Sequence, residues 1–463
     1  MPLTFFWILL VCMALGIPIA FALAFAPAVG YILADKMVFM QLLPQRLFLG
    51  INAFPLLAIP LFLLAGEIMN VGGITRNLVR FANVLVGHLR GGLAHVNIVA
   101  SILFAGLSGS AVADTSALGS ILIPAMEKDG YTRRFAAAVT AASSVIGPII
   151  PPSIIMVVYG LVMSTSVAGL FLAGFVPGLL MGGGMMIVTA IIAKRKNFPK
   201  RDKSASLKEI WRAFRGAFLP LLTPVIILGG ILSGVFTPTE AAGAAVAYAL
   251  LLSMLVLRTL KFRDLPRIFL RTGVASAAIL FVVGTATVFG GIVTISGLPV
   301  KLGQVLFSIT DNILVVLFLV NILLLVVGMF LDASPAILIL GPILAPTMMK
   351  MGIHPLHFAI IMCVNVTVGL TTPPMGLVLF VAASISGERV EAIAMEMLPF
   401  LAIEVIVIFC PGWKQAWRDP RCCCFGLWAS QSVALMSRSS APVSTRGVAR
   451  YSPVVGSTKG FRF

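Results

Sequence analysis

Residues 106–119 read GLSGSAVADTSALG, and residues 328–341 read GMFLDASPAILILG. Each stretch sets glycine, serine or proline at the centre of an apolar run, where a continuous helix would carry branched aliphatic residues. That composition predicts a re-entrant hairpin, two short helices that enter and leave an apolar phase on one side. The hairpins are expected over 91–127 and 312–350. A second interruption follows each, IGPIIPPS at 146–153 and VGLTTPPMG at 368–376. Two adjacent prolines remove two backbone donors and clash with the preceding turn. The helices 135–165 and 356–386 are therefore expected to be broken. Irregular backbone at membrane depth is tolerated only inside protein or beside a water-filled cavity.

The two sets are copies in one register. At an offset of 222, Gly106 matches Gly328, Pro124 matches Pro346, Gly130 matches Gly352 and Gly147 matches Gly369. The same offset pairs Pro151 with Pro373, Pro152 with Pro374 and Pro177 with Pro399. Upstream the register slips by two, with Gly73 against Gly297 and Leu78 against Leu302. The organisation read from this is a first repeat over 1–193, a basic linker with connecting spans over 194–271, and a second repeat over 272–409. Segments 74–90 and 298–311 precede the hairpins and are mildly amphipathic, as interfacial arms or as loops with a helical turn.

Composition places this repeat in a bilayer. Hydrophobic residues make up 59% of the 463-residue chain and charged residues only 11%. Soluble domains run near 25% charged. Residues 1–34, 135–193, 216–239, 272–300, 312–331 and 351–387 contain no Asp, Glu, Lys or Arg. Roughly 20 apolar residues span a bilayer as a helix, so the fold class is an all-α polytopic membrane protein. The uncharged N-terminus reads as a first span over about 4–33, not as a secretory signal. Full crossings over 4–33, 47–70, 135–165, 168–193, 216–236, 240–257, 272–296, 356–386 and 397–410 put five loops on one face: 71–90, 127–134, 194–215, 258–271 and 387–396. Those loops hold 21 basic residues, against Lys36, Arg46, Lys301 and Lys350 on the other face. The basic face is expected to be cytoplasmic. Five crossings then separate the hairpins, so the repeats are inverted, as in many secondary transporters with midplane sites at discontinuous helices. Of the net charge of +17, the +10 carried by residues 1–409 is read as orientation and the +7 of residues 410–463 belongs to the tail; neither is read as nucleic-acid binding.

The breaks carry the candidate chemistry. Unwound carbonyls and hydroxyls give an alkali ion close oxygens, and free helix N-termini offer N–H groups to an anion. Half one supplies Ser108, Gly109, Ser110, Asp114, Thr115 and Ser116 opposite Gly147, Pro148 and Ser153. Half two supplies Asp332, Ser334, Asn365, Thr367, Gly369, Thr371 and Thr372. The competing reading is that Gly and Pro only kink helices and that Ser and Thr bond back to them. Asp114 and Asp332 are carboxylates at membrane depth, which are costly and usually functional; each serves as a cation or proton site, or as a cap on a hairpin helix. Glu67 and Glu404 read as structural or interfacial. His354 and His357 lack a third ligand, and the cysteines lack CxxC spacing, so no transition metal or other cofactor is expected. GLSG at 106–109 fits the GxSG pattern of intramembrane serine proteases, a remote alternative, because His95 lies about 20 Å from Ser108 along a helix.

At these motifs the sequence resembles the large membrane subunit of tripartite ATP-independent periplasmic (TRAP) transporters, the DctM type. SGSAVADTSALGSILIPAM, IGPIIPPSI, TPTEAAG, GMFLDASPAILILGPILAP and GLTTPPMGLVLF carry the resemblance, which covers roughly 1–409. It implies a non-enzymatic, sodium-driven importer of organic anions in a bacterial inner membrane. C4-dicarboxylates, other carboxylates and sialic acid are the family's substrates. The implied partners are a periplasmic substrate-binding protein and a small four-helix membrane subunit, here expected as a separate chain. The implied mechanism is an elevator, in which a core of hairpins and broken helices slides against a scaffold. Sodium sites carried over from the family fall on Ser108, Ser110, Gly147, Pro148 and Pro151, with Pro152 adjoining them. In half two they fall on Gly328, Asp332, Ala333, Gly369, Thr371, Thr372 and Pro373, with Pro374 adjoining. A stand-alone ion-coupled anion transporter or sodium/proton antiporter of the same fold is the alternative. Residues 410–463 depart from the family pattern. They hold eight basic residues, one acid and four of the six cysteines, and are expected to reflect a shifted reading frame near codon 410.

Overall fold

The computed structural model describes residues 4–199, 205–309, 312–373 and 375–409. The expectation for 410–463 lies outside the described residues. The chain forms α1 (Thr4–Ala14), α2 (Ile19–Leu33), α3 (Leu42–Ile51), α4 (Ala58–Val71) and α5 (Ile74–Val86). The first hairpin is α6 (Gly92–Ser108) and α7 (Ala111–Lys128), and the first broken helix is α8 (Arg133–Ser144) and α9 (Ile154–Val162). Then come α10 (Val167–Arg195), α11 (Leu207–Leu232), α12 (Pro238–Leu251) and α13 (Leu265–Ser296). The second copy follows as α14 (Leu298–Ile309), α15 (Ile313–Phe330), α16 (Ala333–Lys350), α17 (Pro355–Gly369), α18 (Leu377–Ser386) and α19 (Val390–Phe409). Among the described residues, eight helical stretches are long and apolar enough to cross a membrane.

The offset of 222 is visible in the elements themselves. α7 and α16 begin and end 222 residues apart, at Ala111 and Ala333 and at Lys128 and Lys350. The matched glycines have a backbone reason. Gly130 and Gly352 close the second hairpin arms at φ +91° and +82°, and Gly73 and Gly297 open α5 and α14 at +73° and +66°. A side chain is strained in that left-handed region. The arms α5 and α14 are full helices, so the loop alternative for them is not what forms. α5 buries Leu78 and Phe81 and packs on α6 and α11.

Contacts between loops establish sidedness. Thr259 Oγ1 donates to the Gly72 carbonyl at 2.7 Å, and the Gly91 amide donates to the Pro199 carbonyl at 3.1 Å. Arg134 pairs with Glu388 at 3.0 Å, and Lys196 with Glu396 at 2.7 Å. Arg271 reaches Glu67 at 3.3 Å. The five basic loops therefore meet on one face. Both ends of the first hairpin lie at that face. The second hairpin follows α14 at the far end of α13, where Thr347 Oγ1 donates to the Pro299 carbonyl at 2.9 Å. One hairpin opens from each face.

The first span differs from expectation. Gly16, at φ +76°, and Pro18 divide 4–33 into α1 and α2. A Cβ added at Gly30 would lie 2.8 Å from the Phe5 Cβ, so the end of α2 returns to the start of α1. Ring contacts of Phe5 with Phe289 (5.8 Å) and Phe21 with Phe281 (5.5 Å) seat this pair along α13. The segment is a further helical hairpin on the face opposite the basic loops. The cause is local: a left-handed glycine followed by a proline cannot continue a helix.

Candidate functional site

In half one the tip and the break touch. Gly109 ends α6 at φ +59°, and a Cβ there would stand 3.0 Å from the Pro152 carbonyl oxygen and 3.3 Å from the Ile154 nitrogen. Glycine is needed for both the turn and the approach. Ser110 caps α7, its Oγ accepting from the Ala113 amide at 3.5 Å. Across the contact, Ser153 caps α9 and donates to the Pro148 carbonyl at 2.5 Å. Pro148, Pro151 and Pro152 form the buried turn between α8 and α9.

Asp114 is not a cap. It sits in the first turn of α7, fully buried. Oδ1 accepts a hydrogen bond from Ser108 Oγ, while Oδ2 has no partner. Oδ2 lies so close over Gly147 that a Cβ there would be 2.1 Å from it. Asp114 therefore joins the tip to the break, with one carboxylate oxygen left open. Thr115 Oγ1 donates to Ser144 Oγ at 2.7 Å, and Ser116 is exposed on the outer side of α7.

In half two the crossing is tighter. A Cβ on Gly369 would lie 2.5 Å from the Gly328 Cα, and one on Gly328 would lie 2.7 Å from the Val366 carbonyl oxygen. Two backbones meet here with no room for a side chain. Asp332 occupies the position equivalent to Ser110 and does the same work. It caps α16, its carboxylate accepting from the Ala333 amide at 2.8 Å, and the residue is exposed. The cap reading thus describes Asp332 and fails for Asp114. Ala333 and Ser334 are buried in the first turn of α16. Asn365 Nδ2 donates to Asn321 Oδ1 at 2.9 Å, and Thr367 bonds back to the Cys363 carbonyl at 2.5 Å. Thr371 and Thr372 both direct hydroxyls at the Val368 carbonyl, at 2.8 and 3.0 Å. Pro373 is half-buried in the turn, and Pro374 lies outside the described residues.

Beneath each tip lie buried polar pairs, of which the sequence reading named only Asn365. Ser101 donates to Ser143 at 2.9 Å, and Asn97 to Thr140 at 2.5 Å. Ser143 and Asn365 are 222 apart, whereas Ser101 and Asn321 are 220 apart, so one end of each bond keeps the repeat register. That repeat register was the available signal. Glu404 reads from sequence as structural or interfacial. It is fully buried on α19, and its carboxyl meets Thr371 Oγ1 at 3.2 Å. His95 and Ser108 lie at opposite ends of α6, so His95 is not placed to act as a base for Ser108.

Comparison with known proteins bears on this arrangement. The family described as "Tripartite ATP-independent periplasmic transporter, DctM component" matches residues 6–417. The chain is 42% identical over 393 residues to the sialic acid TRAP transporter large permease protein SiaM of Vibrio cholerae, covering 85% of this chain and 92% of that protein. It is 42% identical over 363 residues to the C4-dicarboxylate TRAP transporter large permease protein DctM of Pseudomonas aeruginosa, covering 78% and 85%. Among solved structures it resembles the YdaH transporter of Alcanivorax borkumensis, with a TM-score of 0.57 at 16% identity over 86% of this chain and 90% of that one. This last likeness concerns fold alone. The chain belongs to the DctM family of TRAP transporter large permeases, multi-pass proteins of the bacterial inner membrane that transport rather than catalyse.

Proposed function

We propose that the chain is the transport subunit of a sodium-coupled importer of an organic anion, with one cation site between each hairpin tip and its broken helix. The observation that carries this is Asp114. A fully buried carboxylate with one open oxygen stands where the tip contacts the first break. Carboxylates at membrane depth mark ion or proton paths. Ser108, which bonds to Asp114, and the turn that Asp114 overlies at Gly147 offer further oxygens to an alkali ion. In the second half, Gly328, Asp332, Gly369 and Thr372 supply the equivalent tip and break. The neutral cap Ser110 puts a helix N-terminus at the first tip, and such an end favours a carboxylate substrate.

The elevator reading rests on the layout. The hairpins and broken helices α6–α10 and α15–α19 pack on one another and meet α4, α11 and α13. The partner expectation is supported by relatives in which the permease is a longer chain. The chain covers 63% of the sialic acid TRAP transporter permease protein SiaT of Haemophilus influenzae, and 62% of the isethionate TRAP transporter permease protein DctMQ of Oleidesulfovibrio alaskensis. A small membrane subunit and a periplasmic binding protein complete the proposed assembly. Substrates named for relatives include sialic acid, C4-dicarboxylates and 2,3-diketo-L-gulonate, so a carboxylate is the proposed class. Uptake into proteoliposomes holding the permease and small subunit, with the binding protein added, tests the reading. Uptake should need an inward sodium gradient and the binding protein. Equal uptake without the gradient removes the sodium sites, and uptake without the binding protein favours the stand-alone alternative.

A further inference from the structure

Glu404 lies outside both hairpins and both broken helices. It sits on α19 among apolar residues, and its side chain is fully buried. Oε2 is 3.2 Å from Thr371 Oγ1, and Oε1 has no hydrogen-bond partner. Among the described residues none of the ion pairs reaches it. A carboxylate withdrawn from water with neither a counter-charge nor a full set of donors is strongly disfavoured.

Its surroundings repeat those of Asp114. Each carboxyl is fully buried, takes one contact from a hydroxyl and leaves one oxygen open. Each also stands at the break of its half. Asp114 lies over Gly147, and Thr371 follows Gly369, the repeat partner of Gly147, by two residues. The two acids are not at equivalent sequence positions: the partner of Asp114 is Ala336, and that of Glu404 is Gly182. The same chemistry has therefore been placed in both halves from different helices.

The hydroxyl arrangement at Thr371 adds to this. The Val368 carbonyl faces the Thr371 amide at 3.0 Å, Thr371 Oγ1 at 2.8 Å and Thr372 Oγ1 at 3.0 Å. Thr371 Oγ1 carries a single hydrogen, which can go either to the Val368 carbonyl or to Glu404. When the Thr371 hydrogen points to Val368, its oxygen and the Glu404 carboxylate present lone pairs to the same space.

We propose that Glu404 and Thr371 ligate an alkali cation, with Glu404 supplying to the second half the negative charge that Asp114 supplies to the first. The proposal rests on the reading that the breaks bind coupling cations. The test measures sodium-dependent thermal stabilisation and radiolabelled sodium binding of the purified permease with its small subunit, with choline chloride holding ionic strength constant. E404Q keeps the size of the side chain and its contact with Thr371 but removes the charge. It should raise the half-saturating sodium concentration roughly 10–100-fold, the range seen when a metal site loses a supporting group. T371V should shift it the same way, and the double variant should add little to E404Q. If wild type responds to sodium and E404Q responds at the same concentration, the Glu404 site is overturned while the tip-and-break sites stand. A lower melting temperature in choline with an unmoved sodium midpoint marks a packing role and also overturns it. A wild type that neither binds sodium nor is stabilised by it overturns both readings.

Discussion

Gly369→Ala asks the second crossing to hold a methyl group where two backbones touch. The added Cβ would stand 2.5 Å from the Gly328 Cα, 2.6 Å from its carbonyl carbon and 3.0 Å from its oxygen. Carbon atoms in contact sit about 3.5–4.0 Å apart, so the crossing must open by roughly 1 Å. All three neighbours are main-chain atoms, and no side chain can swing away. Overpacking costs about 1–3 kcal/mol, and the rigid neighbours place this change at the upper end. Metal sites tolerate ligand displacements of only about 0.2 Å, so the same opening should weaken cation binding as well as stability. The assays are thermal unfolding in detergent and sodium-dependent uptake in proteoliposomes. The control is Gly243→Ala on α12, where an added Cβ meets nothing within 4 Å. Alanine there should be neutral or stabilise by up to ~1 kcal/mol. If both variants melt alike and show the same sodium dependence, the backbone crossing does not set the geometry of the site.

Three further outcomes follow from particular contacts. Asp114→Asn keeps a partner for Ser108 but removes the charge, so it should raise the sodium concentration for half-maximal uptake about 10–100-fold; an unchanged curve would assign Asp114 to packing. Lys196→Ala breaks a partly exposed pair with Glu396 and should cost at most about 1 kcal/mol, read as a small change in melting temperature with sodium dependence intact. Thr237→Ala removes the cap of α12, where Oγ1 accepts from the Glu240 amide and the Glu240 carboxylate accepts from the Thr237 amide at 2.8 Å. It should cost about 1 kcal/mol and leave the sodium curve in place, because TPTEAAG is a helix start remote from both breaks.

The parts of the fold legible in the sequence are those that backbone chemistry imposes. Gly130 and Gly352 announce left-handed turns, and the paired prolines announce the breaks, so the hairpins and broken helices appear where expected. Basic loops announce a face, and bonds such as Thr259 to Gly72 and Arg134 to Glu388 bring them together there. What the sequence hides is direction. In the uncharged run 1–34, Gly16 and Pro18 mark an interruption, but apolarity is the same for one kinked span and for two short helices that fold back. The aspartates show the same limit. Both lie near hairpin tips, yet Asp332 falls on the cap position and Asp114 four residues beyond its own, which turns its carboxyl inward onto Gly147. Glu404 is illegible for a third reason: its partner Thr371 is 33 residues away, and only packing of α19 brings them into contact.

The account stands on cations held between tip and break in both halves. The initial rate of substrate uptake, measured against external sodium for wild type, Ser110→Ala and Thr372→Ala with the small subunit and binding protein present, addresses this directly. The prediction is saturable sodium activation in wild type and a curve displaced to higher sodium in each variant. Superimposable curves for all three proteins would contradict it.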